Sequence, residues 1–66
     1  MNKVMLQKKM IEAGDNQRKL ASFLGISDAM VSKLMNNACE WDLPKIRKVA
    51  SKYSLTGEEI LLIFLA

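Results

Sequence analysis

Along most of this chain the apolar positions return every three or four residues, the period of an α-helix packed on one side. Leu6, Met10 and Ala13 share a stripe, with Val4 and Ile11 beside it, which predicts a helix over residues 2–13. Asn2 is a candidate N-cap, and Gly14 suits the left-handed position just past a helix end. Asp15 or Asn16 then caps a second helix running to about Leu24, with Leu20, Ala21 and Leu24 inward and Phe23 reaching the core from the flank. Gly25, Ile26 and Ser27 interrupt the period. A third helix follows from Asp28 to about Asn36, with Val31 and Leu34 inward. Gly25 sits where the chain turns sharply, Ser27 can accept from an exposed N–H, and Ile26 and Val31 form a hydrophobic staple. Asn36 and Asn37 end this helix, since asparagine tolerates the left-handed conformation.

Residues 37–41 read as a loop. Asp42 caps a fourth helix, with Pro44 in its first turn, where a missing N–H costs nothing. Leu43, Ile46, Val49, Ala50 and Tyr53 make its apolar stripe, and Trp41 with Ile46 makes a second staple. Thr56 opens a fifth helix through a capping box with Glu59, and Leu55 with Ile60 makes a third staple. Glu58 and Glu59 suit the positive end of its dipole. The expectation is one all-α, five-helix domain over residues 1–66. A chain this short buries only about 60% of its unfolded surface, so the helix caps matter to it.

The stretch QRKLASFLGISDAMVSKLMN, residues 17–36, organises the rest. Ala21 is small where two helices cross closely, and the Gly25 turn holds the second helix out as a ridge. This stretch resembles the helix-turn-helix of the Cro and lambda-repressor-like family of bacterial and phage regulators. Gln17, Leu20, Ala21, Leu24, Gly25, Ile26, Val31 and Leu34 fall at that family's characteristic places. The resemblance extends more loosely over about residues 3–64, and the GDNQ run is similar to the short-turn variant of small phage Cro-like proteins. Asp15 departs from it, because many relatives carry an apolar residue there, so the corner between helices 1 and 2 is expected to pack differently. In many relatives the places of Met10 and Met35 hold an Arg and a Glu that pair. Here a thioether contact replaces that ion pair.

The resemblance implies a lambda-repressor-like domain whose third helix enters the major groove of operator DNA. On the outward ridge stand Ser27, Asp28, Ala29, Ser32 and Lys33, and the last four match the family's base-reading positions. Lys33 can donate to guanine O6 or N7, Ser32 can pair with several bases, Ala29 can pack on a thymine methyl and Asp28 can accept from cytosine N4. Asp28 equally suits a first-turn carboxylate on the helix dipole, and Lys33 a solvated lysine. Gln17 matches the family's phosphate-binding glutamine, with Arg18 as a second candidate, against the plain alternative of exposed helix residues. Asn36, Asn37 and Lys45 flank the far side of helix 3 and can grip the backbone, although both asparagines also serve as a helix stop. Met30 and Met35 read as core or shoulder packing, and Trp41 as a lid on the core rather than a base-stacking group.

Charge and composition narrow the function. Residues 1–55 carry ten Lys and Arg against five acids, a net +5, while residues 56–66 carry only Glu58 and Glu59, a net −2. A basic body suits a polyanion and an acidic, apolar tail suits a protein partner. Lys8, Lys9, Lys48 and Lys52 read as solvated charges that raise the general field. No histidine is present to activate a nucleophile or ligate zinc, and four of seven carboxylates sit at helix starts as caps. The expectation is therefore no enzyme, no metal, no cofactor and no small-molecule ligand. The lone Cys39 permits no internal disulfide and suits a reducing, cytoplasmic setting. The apolar run over residues 60–66 is far too short to span a membrane. It is nevertheless apolar all round, so a second face needs cover. A homodimer through Leu61, Leu62 and Leu65 would supply it, unless these residues fold back on helix 1. Such a dimer places two recognition helices about 34–36 Å apart, one DNA turn. The rival reading is a protein-binding module on the same fold, an antirepressor or antitoxin.

Overall fold

A computed structural model describes residues 1–65, and in it each helix begins where the sequence offers an oxygen to unpaired first-turn amides. Asn2 Oδ1 accepts from the Met5 amide at 3.2 Å and opens α1, Lys3–Glu12. Asn16 Oδ1 accepts from Lys19 at 2.9 Å and opens α2, Gln17–Leu24. Ser27 Oγ accepts from Met30 at 3.1 Å for α3, Asp28–Met35, and Asp42 Oδ1 from Lys45 at 2.9 Å for α4, Leu43–Lys52. Thr56 Oγ1 accepts from Glu59 at 3.1 Å for α5, Gly57–Ile60, while the Thr56 amide donates to Glu59 Oε1 at 2.9 Å. That reciprocal pair is the expected capping box.

The first four helices also stop alike. Gly14, Gly25, Asn37 and Ser54 take left-handed φ values of 72°, 72°, 60° and 51°. At Gly25 the amide donates to the Ser22 carbonyl, and the next amide, Ile26, donates back to Ala21 at 3.0 Å. The same two bonds recur after Gly14, Asn37 and Ser54, so four short helices end by closing their own last carbonyls. The Gly25 stop leaves residues 25–27 as the whole connection between α2 and α3, which pack against each other.

The chain is thus all-α, with five helices and no strand among the described residues, and no helix of theirs is long and apolar enough to cross a membrane. Leu6, Met10, Leu20, Ala21, Leu24, Val31, Met35, Val49 and Ile63 form one buried cluster, and Leu34 is buried as well. Ile26, Trp41, Tyr53, Leu55 and Phe64 close its margins. Met10 and Met35 both belong to this core.

Several expectations need correction. Ala13 is exposed, and Leu43 is 57% exposed, because each sits at a helix end beyond the reach of the core. Asp15 does not cap α2. Its carboxylate accepts from Tyr53 Oη at 2.7 Å and lies 3.4 Å from Lys52 Nζ, so the corner after α1 is tied to the end of α4 by a polar set. Burial, and then the neighbouring Asp15 carboxylate, push the Tyr53 phenol above its usual value. Phe23 does not reach the core. It is 44% exposed, with the Lys52 ammonium 4.6 Å from its ring centre, a cation–π contact that suits a half-exposed aromatic. The fifth helix changes its hydrogen-bond spacing rather than continuing: α5 passes into a π-helical turn, Leu61–Leu65. There the Ile63 side chain is fully buried and its carbonyl accepts from the Asn2 amide at 2.6 Å, which docks the segment on the start of α1. Lys9 and Glu59, 2.6 Å apart, reinforce that seam, and their hydrogen bond holds the carboxyl below and the ammonium above their ordinary values. Ala66 lies outside the described residues.

Candidate nucleic-acid interface

Helix α3 buries Val31, Leu34 and Met35 and thereby turns its opposite face outward. Ser27, Asp28, Ala29 and Lys33 are exposed along that face, and Ser32 is half-buried beside them. Met30 is 37% exposed and Met35 fully buried, so the two thioethers take the shoulder and the core respectively. Ser27 Oγ is engaged as the α3 cap, which leaves its hydroxyl hydrogen as the group it can offer a ligand. Among the described residues, no carboxylate lies within ion-pair distance of Lys33.

Asp28 is not the isolated charge its place suggests. Its Oδ2 lies 3.5 Å from Arg18 Nε, linking the first turns of α2 and α3. Both side chains are well exposed, so the pair contributes about 0–1 kcal/mol and exchanges readily for other partners. It neutralises the repulsion an unpaired Asp28 would offer to phosphate, and it draws on the charge that Arg18 would otherwise bring.

The start of α2 is the second part of the surface. Asn16 answers the Lys19 amide, and the amides of Gln17 and Arg18 keep no helical partner. Gln17 is half-buried and lines an open cleft of about 320 Å³ with Gln7, Ile11 and Asn16, floored by Met10 and Met35. The methionine pair therefore lies directly behind the start of α2.

The far end of α3 holds Asn36 and Asn37, both exposed. Lys3 Nζ donates to Asn36 Oδ1 at 2.8 Å, and the Met1 amino nitrogen donates to Asn37 Oδ1 at 3.1 Å. Asn36 Nδ2 leans on Ser32 Oγ at 3.5 Å. Lys45 sits apart from this group, with its ammonium 2.5 Å from Asp42 Oδ2 on its own helix cap. That bond, with the Lys45 amide, holds the Asp42 carboxyl below its ordinary value. Lys45 must leave this carboxylate before it can grip a phosphate.

Two features of this surface escape sequence reading. The Arg18–Asp28 pair joins residues on different helices, and Lys3 reaches Asn36 across the fold. The only local trace of the second is a lysine in the first turn of α1, where the helix dipole disfavours it.

Leu61, Leu62 and Leu65 are 55%, 43% and 70% exposed. Ile63 is fully buried and Phe64 packs against the core, while the three leucines stay exposed. Compared with known proteins, the chain matches no family model and no curated protein or solved structure significantly.

Proposed function

We propose that this chain is a Cro-like regulator that binds operator DNA as a homodimer through a helix-turn-helix formed by α2 and α3. The observation that carries the reading is the Arg18–Asp28 contact at 3.5 Å, which brings the first turn of α2 beside the first turn of the exposed ridge of α3. An α-helix fits the B-DNA major groove and its N-terminal half touches base edges. Ala29, Ser32 and Lys33 read bases on this account, with Ser27 and Asp28 at the entry. Gln17 and the first amides of α2 hold one phosphate, and Asn36 and Asn37 hold another beyond the far end. Arg18 is released to phosphate when Asp28 takes a cytosine amine. The exposed leucines of the last segment join two copies, and the bound dimer represses by excluding polymerase or a competing regulator from the operator.

One observation favours a second reading, a protein-binding module on the same fold. The Arg18–Asp28 pair reduces the positive charge of the ridge, and a ridge of lowered charge suits a protein partner better than a polyanion.

Selection of the protein against randomised duplexes, with the recovered sequences retested at two salt concentrations, separates the two. Operator binding gives an enriched near-palindrome with half-sites about one turn apart and an affinity that falls steeply with salt. Absence of enrichment, with weak salt-indifferent binding to any duplex, rejects DNA as the partner and supports the protein-binding module.

A further inference from the structure

The end of α3 carries a device that its helix alone does not predict. A helix C-terminus presents unpaired carbonyls and a partial negative charge, both unfavourable to phosphate. Three of those carbonyls are closed here. The Ser32 carbonyl accepts from the Asn36 amide at 3.0 Å, that of Lys33 from Ala38 at 2.8 Å and that of Leu34 from Asn37 at 3.4 Å. The side-chain acceptors are closed as well. An ammonium has donors and no acceptor, so the Asn36 amide must turn its oxygen toward Lys3 and its N–H groups away. Asn37 is fixed in the same sense by the Met1 amino nitrogen. Both asparagines are exposed; Asn36 leans one N–H on Ser32 Oγ and keeps the other, and Asn37 keeps both.

We infer that Lys3 is a phosphate-binding residue of this surface, acting with Asn36 and Asn37 as one donor-only clamp delivered from the start of α1. The inference rests on the DNA-binding reading above and adds to it a residue and a geometry. Lys3 acts twice: one of its donors orients the Asn36 amide, and its remaining donors and its charge face the same phosphate oxygens. A phosphate oxygen only accepts, so a patch whose side-chain oxygens are engaged and whose donors remain matches it. Locally Lys3 is misplaced, because its charge sits at the positive end of the α1 dipole. The contact across 33 positions of sequence to the negative end of α3 gives that placement a purpose.

The experiment compares the salt dependence of binding for the parent chain and for Lys3→Ala, Lys3→Gln and Lys3→Arg, on a mixed-sequence duplex and on duplexes recovered by selection. Each phosphate contact contributes about 0.9 to the slope of log affinity against log salt. Lys3→Ala and Lys3→Gln are expected to make the slope shallower by about that amount, while Lys3→Arg keeps it. The affinity gap between parent and Lys3→Ala then narrows roughly threefold from about 50 to about 200 mM salt. A merely structural tie between α1 and α3 would lower the melting temperature and leave the slope unchanged. Unchanged slopes in both uncharged variants, with a parent that binds steeply with salt, overturn the Lys3 clamp and leave the DNA-binding reading standing. A parent whose binding ignores salt overturns that reading itself.

Discussion

The α2–α3 pair and the carboxy-terminal segment solve the same packing problem with opposite outer faces. Each places apolar side chains in the common core, Leu20, Ala21, Leu24, Val31, Leu34 and Met35 from the pair and Ile63 from the last turn. The pair then shows water Gln17, Arg18, Asp28 and Lys33, whereas the last segment shows it Leu61, Leu62 and Leu65. The difference is informative because the core demands neither outer face. A polar ridge held at a fixed place suits a partner read by hydrogen bonds, and an uncovered leucine face suits a partner that removes it from water. One small domain thereby carries a polar outer face and an apolar one.

If burial and exposure divide the molecule this way, truncating a leucine on the two sides must give very different results. Leu20 is fully buried, and Leu20→Ala is expected to cost about 2–5 kcal/mol, much of the stability of a domain this size. Leu62→Ala, at a 43% exposed site, is expected to stay within about 0.5 kcal/mol. Urea unfolding of the two variants checks this. Comparable losses would mean that the leucine face belongs to the monomer's own core.

The caps sharpen the comparison at smaller scale, since a hydroxyl opens a helix in each region. Ser27→Ala removes one bond from α3 and is expected to cost about 1 kcal/mol. Thr56→Ala removes the hydroxyl half of a capping box on a four-residue helix, and about the same loss is expected. The consequences should differ in extent. α3 remains fixed by Val31, Leu34 and Met35, whereas α5 has no fully buried residue and should open locally. Amide hydrogen exchange distinguishes them: Thr56→Ala speeds exchange in α5 well beyond the global change, and Ser27→Ala does not do so in α3.

What the sequence reveals of this architecture follows from the range of each interaction. Asn2, Ser27, Asp42 and Thr56 are legible as caps because a cap bonds three residues away, and Gly14, Gly25 and Asn37 as stops because the left-handed turn selects residue type. Ser54, which takes the same conformation, carries no such signal. Leu20, Leu24, Val31 and Leu34 are legible through their period. Phe23 and Asp15 are misread, because their partners Lys52 and Tyr53 stand at the end of α4, some thirty to forty positions away. The outward ridge of α3 is legible as the complement of its buried stripe. Its electrostatics is not, since the pairs Arg18–Asp28 and Lys3–Asn36 form only once separate helices meet. The switch to a π-helical turn at Leu61 is hidden for a further reason: a run of leucine, isoleucine and phenylalanine is compatible with either winding, and docking of Ile63 on Asn2 accompanies the outcome.

The smallest expected effect on stability is also the one that bears most on assembly. Leu62→Glu places a charge on a residue 43% exposed in the single chain, so the monomer is expected to keep its stability to within about 0.5 kcal/mol. In a homodimer closed through Leu61, Leu62 and Leu65 the same charge would be buried twice, once from each copy, without a partner. Leaving a buried charge unpaired costs several kcal/mol, enough to abolish a dimer of ordinary affinity. Sedimentation of the parent and the variant, with and without operator DNA, tests the claim. The expected result is a folded variant that sediments as a monomer and fills half-sites independently. A variant that still sediments as the parent does would place the joining surface elsewhere. The other exposed apolar stripe, Val4 with Ile11 on α1, would be the next surface to alter.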